Sequence, residues 1–132
     1  MVVKEIMKKE VATISPLASL KEALQKMKDL KVKSLVVEKV KKSDAYGIIT
    51  YSDIIKAIIA EEGGIDLFNV YDIYSKPVIT ISEEIDVKYA AQMMIKYHVR
   101  RLLITNGEEI RGILSMSDML DALWEEMVEL KD

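Results

Sequence analysis

Two stretches of this chain carry the side chains best placed to do chemistry. They are Thr50-Tyr51-Ser52-Asp53, preceded by Gly47-Ile48-Ile49, and Ser115-Met116-Ser117-Asp118, preceded by Gly112-Ile113-Leu114. Each reads as a short apolar strand, a hydroxyl residue where the strand ends, and an aspartate three residues later in the first turn of a helix. A hydroxyl and a carboxylate presented together in this way make a place to hold a ligand that itself carries hydroxyl groups. The same spacing also fits a capping box with Asp in place of the usual Glu, the two side chains then serving only the amides of the helix start. One copy alone does not separate the two readings.

No other set of residues suggests a reaction. Cysteine is absent, which excludes disulfides, thiolate metal sites and cysteine nucleophiles. His98 is the single histidine and cannot make a histidine metal site alone; at a helix end it reads as an exposed residue favourable to the helix dipole. Glu61-Glu62, Glu83-Glu84 and Glu125-Glu126 sit in charged runs and read as solvated carboxylates rather than acid-base pairs. Without a nucleophile, base and oxyanion set, and without a Walker-type glycine loop, the expectation is a protein that is not an enzyme and has no cofactor or metal. A net charge of -3 argues against a general nucleic-acid binder. No apolar run approaches the roughly 20 residues that span a bilayer, so the expected location is cytoplasmic. Abundant Lys and Glu with few Asn, Gln and Cys lean toward a thermophile composition.

The elements that position the two stretches follow from periodicity. Val3, Ile6 and Met7 share one side of a short docking helix; Val11 to Ile14 forms a brief strand ended by Ser15-Pro16. Ser19 and Glu22 make a capping box for a helix whose apolar positions are Leu20, Ala23, Leu24, Met27 and Leu30. Ser34 to Val37 and Ala45 to Ile49 read as an antiparallel pair, and the helix after Thr50 runs until Gly63-Gly64 stops it. Ile54, Ile58 and, on the last helix, Leu120, Leu123 and Trp124 read as exposed apolar stripes that a homodimer would cover. Met93, Met94, Met116, Met119 and Met127 read as adaptable core or dimer packing.

Sliding the second half back by roughly 67 residues lays Val78 to Ser82 on Val11 to Ser15, and Ala90, Gln92 and Met94 on Ala23, Gln25 and Met27. A shorter hairpin at Asn106-Gly107 changes the offset to about 65, after which Gly112, Ser117 and Asp118 fall on Gly47, Ser52 and Asp53. The chain is therefore a duplication. The expected class is α/β (α+β): two pseudo-symmetric β-α-β-β-α repeats, 1–64 with the short leading helix and 65–132, packed face to face through their sheets because neither closes a core alone.

A duplicated unit with Thr13-Ile14-Ser15-Pro16 at its start, Val99-Arg100-Arg101-Leu102-Leu103-Ile104 in the second copy, and Gly47 to Asp53 and Gly112 to Asp118 before the last helices resembles the cystathionine β-synthase (CBS) domain family. The resemblance covers essentially the whole chain. It implies a stand-alone regulatory pair that binds adenosine-containing nucleotides of the AMP, ADP and ATP class between its repeats and acts, as a homodimer, on a partner protein. An S-adenosylmethionine sensor, or a structural interaction disc without nucleotide, is the alternative. By the same resemblance Asp53 and Asp118 take ribose hydroxyls, supported by Thr50 and Ser115. A carboxylate accepts two hydrogen bonds from a cis-diol, and the helix start beside it favours phosphate. The family pattern further implies that Arg100 and Arg101 complete the Thr50 and Asp53 site with Ile79 and Thr80, and that Lys33 completes a weaker Ser115 and Asp118 site with Ala12 and Thr13. Arg100-Arg101 stands where the family often has His-Arg, which keeps both cations and removes a titrating one.

Overall fold

Proline at position 16 holds the first strand, β1, to Thr13–Ile14. Ser19 then accepts a hydrogen bond from the Glu22 amide (3.0 Å) and opens α1, Leu20–Leu30, which ends on Lys31 in the left-handed conformation. In the computed structural model, residues 1–60 and 65–131 are described. The chain continues through β2, Ser34–Val37, and β3, Gly47–Thr50, into α2, Tyr51–Ala60. A short helix α3, Val70–Ile73, leads into the second copy: β4, Thr80–Ser82; α4, Val87–Tyr97; β5, Arg101–Asn106; β6, Glu109–Ser115; and α5, Met116–Lys131. The expected stop of α2 at Gly63-Gly64, the carboxylates Glu61-Glu62 and the boundary at residue 64 lie outside the described residues.

Each copy forms the same three-stranded sheet. β1 runs parallel to β2 and β2 antiparallel to β3; β4, β5 and β6 repeat this order. The helix after β1 or β4 is the crossover that a parallel pair requires. Leu20, Ala23 and Met27 pack with Leu35, Val37, Ile49 and Ile54 in one core. Ala90 and Met94 pack with Leu102, Ile104 and Leu114 in the other.

By compactness the chain divides into Ala12–Val78 and a unit made of Met1–Val11 with Ile79–Asp132. The leading segment of each repeat is thus built into the core that follows the other repeat's strands. Val3 is fully buried with Ile81 and Val87, its amide donating to the Ile85 carbonyl (2.8 Å). Val70 is fully buried with Leu20 and Ile54, its amide donating to the Ala18 carbonyl (2.8 Å). The expected docking helix at Val3 to Met7 is a single 3-10 turn, Val3–Glu5.

Both leading segments also pair with a sheet edge. Lys8 and Ile113 exchange two backbone hydrogen bonds of 2.9 Å, as do Ser75 and Ile48. Such close approach demands glycine on the neighbouring strand position: a Cβ on Gly112 would stand 2.7 Å from the Lys8 carbonyl oxygen, and one on Gly47 2.7 Å from that of Ser75. One expectation is corrected here. Ile54 faces the core at 2% exposure, and Leu123 packs against the second core; the open face of α2 carries Ile55 and Ile59 beside the expected Ile58. Because α2 is apolar on nearly every side, only packing against the sheet decides which isoleucines turn inward.

Candidate functional site

The capping reading of the two stretches is realised in full. The Thr50 amide donates to Asp53 Oδ2 (2.9 Å) and the Asp53 amide to Thr50 Oγ1 (3.2 Å). The Ser115 amide donates to Asp118 Oδ2 (3.3 Å) and the Asp118 amide to Ser115 Oγ (3.0 Å). These reciprocal bonds satisfy the strand-end amide and one orphan amide of each helix. They also hold each carboxylate rigidly, with Oδ2 committed and Oδ1 free of the cap.

The residue before the middle strand is fastened to the same place. The Lys33 carbonyl accepts from the Tyr51 amide (3.1 Å), and the Arg100 carbonyl accepts from the Met116 amide (2.8 Å). In register, Ser34 stands opposite Thr50 and Arg101 opposite Ser115. Within one unit the structure therefore gathers Thr50, Asp53 and Lys33; within the other it gathers Ser115, Asp118, Arg100 and Arg101. Arg100 is exposed, while Arg101 is half-buried. Burial and the neighbouring Arg100 charge lower the Arg101 pKa, and the Asp118 carboxylate opposes them.

The remaining expected residues divide by availability. Ala12 and Ile79 use their carbonyls in the sheets, accepting from the amides of Val36 and Leu103 (both 2.9 Å). Thr80 is exposed at the start of β4. Thr13 is engaged: its hydroxyl donates to Glu38 Oε1 (2.9 Å), and its carbonyl accepts from Lys26 Nζ. Sequence reasoning missed Lys8, whose Nζ lies 3.5 Å from Asp118 Oδ1. The available signal was its position: the repeat offset lays Lys8 on Ser75, so one leading segment carries a cation where the other carries a hydroxyl. Among the described residues no group of three or more His, Cys, Asp or Glu could hold a metal ion, and no helix is long and apolar enough to cross a membrane.

The profile of the CBS domain matches twice, over residues 3–60 and 70–125. The chain belongs to the CBS domain family. Both matches contain one of the acidic turns, and a pair of such domains is a regulatory ligand-binding module. An uncharacterized protein of Methanopyrus kandleri is 31% identical over 119 residues, covering 89% of this chain and 60% of the relative. The chain spans 43% to 60% of the length of the first two curated relatives it matches. Among solved structures, a hexameric CBS-CP12 protein from bloom-forming cyanobacteria is similar at 33% identity and a TM-score of 0.85, over 91% of this chain and 69% of that one. A CBS domain pair in complex with 5-methylthioadenosine and S-adenosyl-L-methionine is similar at 25% identity and a TM-score of 0.81, over 96% of this chain and 98% of that one.

Proposed function

We propose that this CBS pair binds an adenosine-containing ligand, catalyses no reaction of its own, and signals occupancy to a partner protein. The observation that carries this reading is the state of the two aspartates. Each is locked by its cap through Oδ2, which leaves Oδ1 outside the cap as a preorganised acceptor for a ribose diol. A similar pair has been solved with adenosyl ligands, which supports the same ligand class here. In this reading Asp53 with Thr50, and Asp118 with Ser115, take ribose. Arg100, Arg101 and Lys33 supply positive charge for phosphate, and Ile79, Thr80, Ala12 and Thr13 are the strand positions lining the ligand. Nucleotides of the AMP, ADP and ATP class are favoured over S-adenosylmethionine because two adjacent guanidiniums match phosphate oxygens.

The partners proposed are a regulated protein and a second copy of this chain. The α5 face carrying Leu120, Trp124 and Met127 is 54% to 67% exposed, an apolar surface that a homodimer would remove from water.

A thermal-shift panel of adenosine, AMP, ATP and S-adenosylmethionine tests the ligand class, since a ligand at about 100 times its Kd adds roughly 2.7 kcal/mol to native stability. Calorimetry with Asp53→Ala and Asp118→Ala then tests the turns. Removing a charge-assisted bond costs on the order of 1.5–3 kcal/mol, roughly 10- to 150-fold in affinity. Arg101→Ala should weaken AMP far more than adenosine. No stabilisation by any member of the panel, or equal weakening of AMP and adenosine by Arg101→Ala, refutes the ligand class or the phosphate role respectively.

A further inference from the structure

The two acidic turns are alike in their caps and unlike in what reaches the second carboxylate oxygen. At Asp118, Oδ1 faces the Lys8 ammonium at 3.5 Å, and the Asp118 side chain is only 16% exposed. Asp53 forms no ion pair among the described residues, and Ser75 stands in its leading segment where Lys8 stands in the other. Lys8 is delivered by backbone, not by chance contact of a long side chain: its amide and carbonyl both pair with Ile113, two residues before Ser115. Its side chain is nevertheless 70% exposed, and the ammonium can swing without disturbing that pairing.

We propose that Lys8 sets the charge preference of the Asp118 turn, favouring a ligand that brings its own anion beside the diol. This rests on the adenosyl-ligand reading above. A neutral diol must compete with Lys8 for Oδ1 and leaves an ammonium without its partner. An anionic ligand presents a new acceptor to Lys8 as the diol takes Oδ1, so the ion pair is exchanged rather than lost. The nearby Arg101 cation acts in the same direction. At the Asp53 turn no cation pairs with the carboxylate among the described residues, so that turn accepts neutral and anionic diols more evenly.

The test is calorimetric titration of the full chain carrying Asp53→Ala, with and without Lys8→Met, using adenosine and AMP as probes. An exposed ion pair is worth up to about fivefold in an equilibrium constant. Lys8→Met should therefore tighten adenosine by up to about fivefold and weaken AMP by a similar factor, and the effect should shrink in about 1 M salt, where screening reaches about 3 Å. Lys8→Arg should restore the preference for AMP, which a merely structural role for the segment would not require. If Lys8→Met moves both ligands by one factor, or neither, the role of Lys8 is overturned while the ligand class stands. If the Asp53→Ala chain binds neither probe although the unaltered chain binds both, the Asp118 turn is no receptor and the inference fails there. If the unaltered chain binds no adenosyl ligand, the functional reading fails first and takes this one with it.

Discussion

Gly112→Ala tests how the leading segment is held. An added Cβ would lie 2.7 Å from the Lys8 carbonyl oxygen and from Met7 Sδ. The methionine end can turn aside, but the carbonyl belongs to a backbone pinned by two 2.9 Å hydrogen bonds to Ile113. Ordinary contact begins at 3.4 Å, so the segment must withdraw by 0.7 Å, the difference between those two distances. That stretches both hydrogen bonds beyond useful length and loosens Val3, which is fully buried. Two backbone hydrogen bonds at about 1 kcal/mol each, with a fraction of the burial of one valine, come to roughly 2–3 kcal/mol. For 132 residues the unfolding entropy is about 0.28 kcal/mol per kelvin, so Tm should fall by roughly 7–11 °C. Differential scanning calorimetry reads this directly, and amide exchange should show faster exchange at Ile113. A Tm within about 2 °C of the unaltered chain, with Ile113 still protected, would refute the claim that glycine is required by the docked segment.

Other outcomes follow from the same geometry. Ser115→Ala removes the acceptor for the Asp118 amide and should cost about 1 kcal/mol, a Tm drop of roughly 3–4 °C, without changing the far-UV circular dichroism. Asp44→Asn probes pH dependence: the hydrogen bond from Lys76, then that from the Ala45 amide, holds the Asp44 carboxyl below its ordinary range, while Lys76 is raised by the same partner. The pair therefore stabilises the fold above the ordinary carboxylate pKa, loses its effect as pH falls through the lowered Asp44 value, and on the alkaline side loses it as pH rises through the raised Lys76 value. The Tm gap between Asp44→Asn and the unaltered chain should be present at neutral pH and close in acid; a gap independent of pH would contradict this. Trp124→Glu should convert a sedimenting dimer to monomer while leaving Tm at low concentration nearly unchanged, because Trp124 is 64% exposed and belongs to neither core.

Much of the fold was legible because it depends on local patterns stated twice. The 3.6-residue spacing of Leu20, Ala23 and Met27 and the Ser19 cap determine α1 wherever it docks, and the repeat carried the same reading to Ala90 and Met94. Thr50 to Asp53 and Ser115 to Asp118 were visible as either a cap or a binding turn, and the structure shows Oδ2 of each aspartate making the cap with Oδ1 outside it. Periodicity could not choose the inward face of α2, since Ile54, Ile55, Ile58 and Ile59 are equally apolar; the sheet beneath it chose Ile54.

The sequence by itself determined the repeated unit and its strand and helix types, and it singled out the two acidic turns, because each of these rests on interactions within a few positions of the chain. Only the tertiary structure decided that Met1–Val11 completes the second repeat's core and that residues 70 to 78 belong with the first. The physical reason is that burying Val3 or Val70, and pairing Lys8 with Ile113 or Ser75 with Ile48, joins residues far apart in sequence, and no local propensity records where such a segment will land. The Lys8 and Asp118 ion pair, 110 positions apart by their numbers, is a consequence of that docking alone.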